Sequence, residues 1–195
     1  MYKTITTMLL LMLSFQVDLF SQNTDTDKIE TISKALNKKY PLNMKKWTSG
    51  RINGKSFIMR DVNAKLSFNG NFNISAVQTT NRLQGWTGRL IFEIQDKRGN
   101  VLATIYTPST GINGKRLFAK KENRRNINHA LNLKSYVKGK EYATLMYSAY
   151  RIVPKAERAG KGLKRIVNIS SDLKAIAENM AEPVDLVVKA MAAGS

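Results

Sequence analysis

The chain is 195 residues long and carries 32 lysines and arginines against 14 aspartates and glutamates, a formal net charge of +18, with 43% apolar residues. The absence of cysteine excludes thiol nucleophiles, disulfides, iron–sulfur clusters and cysteine zinc sites. The single histidine, His129, excludes any metal site that needs two imidazoles, and the apolar content is enough for a folded core in spite of the charge.

Residues 1–21 read as a secretory signal peptide. Lys3 and the terminal amine form a short positive region, Met8–Phe15 is an apolar run of the right length, and Ser21 offers a small residue at the cleavage position. The run is well short of the ~20 apolar residues a membrane span needs, and Gln16 and Asp18 interrupt its continuation. The competing reading is a buried N-terminal core helix. The layout resembles the signals of Bacteroidota-type bacteria, in which glutamine often begins the mature chain, here Gln22. Residues 23–43 form a helical segment. Ile29, Ile32 and Leu36 mark one stripe over Thr26–Lys39, Thr24 or Thr26 supplies a cap, and Pro41 ends it by pushing Tyr40 into extended geometry.

Residues 44–154 change to a period of two. Phe72, Ile74 and Ala76 alternate with asparagine and serine, and Leu90, Phe92 and Ile94 begin a hairpin over 88–107 that turns at Asp96–Asn100. Ile127, His129, Leu131 and Leu133 mark another strand. Tyr142–Val153 reads as the longest one, apolar on both faces, as a central strand would be. Asn53-Gly54 and Asn113-Gly114 are two-residue turn signals, which also explains the repeated Ile-Asn-Gly-Lys at 52–55 and 112–115 better than an internal duplication does. About six to eight short strands at this spacing predict a mainly β protein, an antiparallel β-sandwich with a short N-terminal helix and a C-terminal amphipathic helix. Residues 155–170 read as a basic linker, with Gly160 and Gly162 among five cations. In 171–195, Leu173, Ile176, Ala177, Met180, Val184, Val187, Val188 and Met191 follow helical spacing, and Pro183 must kink that helix or start a second. The stripe is expected to pack on the sandwich; docking on a partner is the alternative.

The search for catalytic chemistry is thin. His129 sits among leucines and asparagines, and no Gly-x-Ser-x-Gly elbow exists for a triad. Paired carboxylates would have to come from residues such as Glu93 and Glu141, because Asp96 and Glu122 lie among cations that keep them ionised. No clustered carboxylate run offers a divalent-metal site, Ala159-Gly-Lys-Gly162 is too short for a phosphate-binding loop, and no cofactor is called for. Asn73-Ile-Ser75 and Asn168-Ile-Ser170 match the glycosylation sequon, which matters only in a eukaryotic source.

The basic clusters stand above this background. Residues 44–165 hold 25 basic and six acidic residues, an excess beyond the ~2–8 charges that solubility requires. Lys115, Arg116, Lys120, Lys121, Arg124 and Arg125 surround Phe118; a second group is Lys155, Arg158, Lys161, Lys164 and Arg165; Lys45, Lys46, Trp47 and Arg51 form a third. Cations gathered on loops concentrate anions, and Phe118, Trp47 and Trp86 offer rings for stacking on sugars or bases. The expectation is a secreted or cell-envelope binding protein, without enzymatic activity, that captures an anionic polysaccharide, lipopolysaccharide, an acidic protein or extracellular DNA. The alternatives are a lyase or hydrolase acting on acidic polysaccharide, with Tyr142, Tyr147 or Tyr150 as base, and a toxin or assembly component that docks through its C-terminal helix.

Overall fold

The computed structural model of the protein describes residues 25–52, 57–119, 121–179 and 181–193. The expected signal peptide, Thr24 and the Asn53-Gly54 turn lie outside these residues. Among the described residues, nine strands and four α-helices follow in chain order: helix α1 (25–39), β1 (Leu42–Trp47), β2 (Phe57–Leu66), β3 (Asn71–Thr80), β4 (Trp86–Gln95), β5 (Val101–Tyr106), β6 (Thr110–Ile112), β7 (Asn123–Asn132), α2 (Gly139–Ser148), β8 (Arg151–Arg158), β9 (Ile166–Ile169), α3 (Ser171–Asn179) and α4 (Ala181–Ala193). They build two antiparallel sheets packed face to face, the expected mainly β sandwich-like architecture. The first sheet runs β1-β2-β3-β7. In the second, β4 is central, with β8 along one edge, β5 and β6 along the other, and β9 outside β5.

Alternation decides which side chains meet between the sheets. Phe72, Ile74 and Ala76 of β3 point inward, with Met59, Val62, Ala64 and Leu66 of β2 beside them, towards Leu90, Phe92 and Ile94 of β4. Phe72 and Phe92 meet edge to face at 5.4 Å between centroids, which ties the two sheets at their middle. The β4–β5 hairpin turns where expected. Asp96 accepts hydrogen bonds from the amides of Arg98 and Asn100, and Gly99 takes the left-handed conformation the turn needs at φ 93°.

The two ends of the sandwich differ in kind. One is closed by helices. α2 covers the β2–β3 turn through Tyr142, whose hydroxyl donates to the carbonyl of Phe68. α1 joins it through Tyr40, which donates to the carbonyl of Met146 at 2.7 Å, and α3 and α4 pack on α2 with Leu173, Val184, Val187 and Ala190 buried. The C-terminal stripe therefore packs, as expected. It is broken into two helices, with Pro183 in the first turn of α4, where a missing amide proton costs least. The opposite end consists of connections: β1 to β2, 81–85 between β3 and β4, 113–122 between β6 and β7, and 159–165 between β8 and β9.

Three readings of the sequence are corrected. Tyr142–Val153 is not one strand: residues up to Ser148 belong to α2, and the chain re-enters a sheet only at Arg151. The apolar residues on both faces reflect helical spacing, since Tyr142, Ala143, Leu145, Met146 and Ala149 recur at three and four and are all buried. Residues 155–170 are not a linker: 155–158 complete β8 and 166–169 form β9, so the sandwich extends to Ile169. Asn113-Gly114 does not make a tight hairpin. Gly114 is required because a Cβ there would lie 1.6 Å from the carbonyl oxygen of Leu83, so the 113–122 loop lies directly on the 81–85 loop.

Candidate functional site

The loop end brings together cations that are distant in sequence. Antiparallel pairing sets Arg158, the last residue of β8, opposite Gly88 of β4, and pairs Trp86 with Ile112 of β6. Arg125, near the start of β7, donates through Nη1 to the carbonyl of Gly111. A groove of about 610 Å³ opens between them, lined by Gly111 and Asn113 on one side, Arg158, Ala159 and Lys161 on the other, and Arg125. No carboxylate lines it.

A second hollow of about 550 Å³ adjoins it through Asn113, and Lys115, Arg116 and Lys121 line this one. Its one carboxylate, Glu122, is engaged by Arg124 at 3.0 Å and Arg60 at 3.4 Å. Among the described residues, Lys115, Arg116, Lys121, Arg125, Arg158 and Lys161 have no ion-pair partner. Six uncompensated cations thus border two connected depressions, an arrangement that focuses positive potential into a concave surface.

The remaining candidates are placed differently from one another. Phe118 stands at the loop tip, 95% exposed, with a left-handed backbone at φ 65°. Lys120 lies outside the described residues. Arg124 is held by Glu122. Trp86 lines the first groove yet is only 3% exposed: it stacks on Phe57 at 5.2 Å, and its indole nitrogen donates to the carbonyl of Thr79 at 3.1 Å, so it belongs to the core beneath the groove. Trp47 is half-buried against the core on β1. Its neighbour Lys45 borders a separate hollow on the outer face of the first sheet, beside Asn63, Lys65, Asn73 and Asn128. Lys45 and Trp47 therefore do not join the other two clusters, while Arg51 lies in the β1–β2 connection at the loop end.

The groups considered for catalysis are also dispersed. Glu93 pairs with Lys155 on β4, Glu141 sits in the first turn of α2, and no described cavity is lined by both. Asp96 is held below the usual carboxylate range: desolvation opposes this, but hydrogen bonds from Asn100, Arg98 and Gly99 outweigh it. Turn geometry rather than surrounding cations is the cause. His129 points inward from β7, its Nε2 has no hydrogen-bond partner, and burial, then the nearby Arg165, push its pKa down. Tyr142 is buried and its pKa is pushed up to about 12 by burial, the reverse of what a base needs. Among the described residues no three acidic or imidazole groups gather as a metal site, and no helix is long and apolar enough to cross a membrane.

One cavity escaped the sequence reading. At the helical end, Lys38, Lys39, Lys97 and Arg98 surround about 660 Å³ together with Tyr147 and Tyr150. Lys39 caps α2, donating to the carbonyls of Met146 and Tyr147 at 3.1 and 2.5 Å, and burial, then Lys97, push its pKa down to about 8. The paired cations at 38–39 and 97–98 were visible, but nothing in the sequence joins α1 to the β4–β5 turn. No family model, curated protein or solved structure matches this chain.

Proposed function

We propose that this chain is an exported, non-enzymatic binding protein that captures an anionic polymer or acidic partner through its loop end. The groove bordered by Arg125, Arg158 and Lys161 carries the reading: two clusters separated in sequence share one depression with no carboxylate in its lining. A surface built only for solubility has no need to collect cations of one sign in a concavity, since like charges brought together repel. Arginine's planar fork suits sulfate, phosphate and carboxylate groups, and lysine adds charge without fixing geometry. The ligand classes that fit are acidic polysaccharide, the phosphates of lipopolysaccharide, released DNA or an acidic protein. Export is inferred from residues 1–21, and places the protein outside the cytoplasm or in the cell envelope.

The test is retention on immobilised heparin. Wild-type protein elutes late in a salt gradient, and R125S/R158S/K161S elutes clearly earlier. Co-elution of the two would overturn the assignment of the groove.

A further inference from the structure

The loop end carries a second feature that charge does not explain. The three most exposed large hydrophobic residues among those described are Phe118 at 95%, Leu83 at 64% and Leu117 at 63%, and Leu163 is exposed as well, at 41%. They come from three different connections, and all three lie at the same end. The 81–85 and 113–122 loops touch: the amide of Lys115 donates to the carbonyl of Arg82 at 2.6 Å and Gly114 rests on Leu83, while the carbonyl of Leu163 accepts from the amide of Ser109 in the β5–β6 connection. Cations flank each apolar tip, namely Arg82, Lys115, Arg116, Lys161 and Lys164. Single exposed leucines are ordinary on a protein surface. Four large apolar side chains at one end, each beside cations, are not scattered in that way. Phe118 also has a left-handed backbone at φ 65°, which is unfavourable for a bulky residue.

We propose that this end docks on an anionic lipid surface, with Leu83, Leu117, Phe118 and Leu163 entering the headgroup layer while the surrounding cations meet lipid phosphates. The inference rests on the anion-binding reading of the same end and names its partner as a membrane surface. A soluble polyanion satisfies the cations and can stack on Phe118, but it offers nothing to three leucines. A lipid surface offers both an anionic plane and an apolar layer directly beneath it, which is the pairing that interfacial anchors exploit.

Vesicle co-sedimentation tests this, with phosphatidylcholine alone, phosphatidylcholine mixed with phosphatidylglycerol, and soluble heparin as the lipid-free anion. Every variant carries the same N-terminus as the wild type, so differences between them arise at the loop end. Wild-type protein binds the mixed vesicles and not phosphatidylcholine alone. L83S/L117S/L163S, which keeps every cation and Phe118, loses at least about tenfold in vesicle partitioning but keeps its heparin retention. In F118W, the added tryptophan emission moves to shorter wavelength on addition of the mixed vesicles. Equal vesicle binding by the wild type and the three-leucine variant would overturn the proposal, as would heparin binding without vesicle binding; in both cases anion capture itself would stand. Failure of the wild type on heparin and on vesicles alike would overturn the anion-binding reading as well.

Discussion

Replacing Arg125, Arg158 and Lys161 with serine removes three cations from one groove, and the salt dependence of polyanion binding reports how many of them meet phosphate. Duplex DNA is a convenient probe, because each neutralised phosphate contributes about −0.9 to the slope of log affinity against log salt. If the six unpaired cations of the two depressions each meet one phosphate, the wild-type slope is about −5.4, a loss of roughly 10³-fold between about 50 and 200 mM salt. The triple variant flattens the slope by about 2.7, so its loss over the same range is about 40-fold smaller. Fluorescence anisotropy of a labelled duplex at several salt concentrations measures both. The control is K38S/K97S/R98S, which removes the same charge from the cavity at the helical end and leaves the slope close to that of the wild type. Equal flattening by both variants would refute the reasoning, because binding would then follow net charge rather than the groove.

Trp86→Phe removes a buried donor from the carbonyl of Thr79 and lowers stability by about 1–3 kcal/mol in denaturant unfolding, with polyanion affinity unchanged; lost affinity in a fully folded variant would make the indole a ligand contact rather than core support. Gly114→Ala drives a Cβ into the Leu83 carbonyl and destabilises by about 1–3 kcal/mol through displacement of the 113–122 loop; an unchanged unfolding midpoint would contradict that packing. His129 has a folded pKa below its ordinary 6.5, so the unfolded chain takes up the proton first and stability falls as pH drops through 6.5, until the folded form is protonated too. H129Q removes this contribution, and a stability profile identical to the wild type across that range would exclude His129 as its source.

The strands that proved legible are those buried on one face only. Phe72, Ile74 and Ala76 alternate with asparagine and serine, so their period shows directly, and the β4–β5 hairpin announces itself by its turn at Asp96–Asn100. α2 was obscured because it is enclosed by α1, α3, α4 and the β2–β3 turn, and a helix buried on several sides looks apolar at either parity. β8 was truncated for a different reason. It is an edge strand of the second sheet, and edges tolerate the proline and charges found at Pro154, Lys155, Glu157 and Arg158, residues that read as loop in isolation. The basic clusters were visible as composition. Their meeting was not, since it depends on the register that sets Arg158 opposite Gly88 and on the contact of Arg125 with Gly111. Trp86 shows the same gap: an indole destined for the core and one destined for a ligand are identical in sequence, and only the stacking on Phe57 separates them.

Lysine acylation footprinting, read residue by residue by mass spectrometry with and without heparin, addresses the location of the anion-binding surface most directly. Protection is expected at Lys115, Lys121 and Lys161, with Lys38 and Lys97 at the far end modified as fast as in the free protein. Protection of Lys38 and Lys97 while Lys115, Lys121 and Lys161 stay reactive would contradict the account and move the binding surface to the helical end.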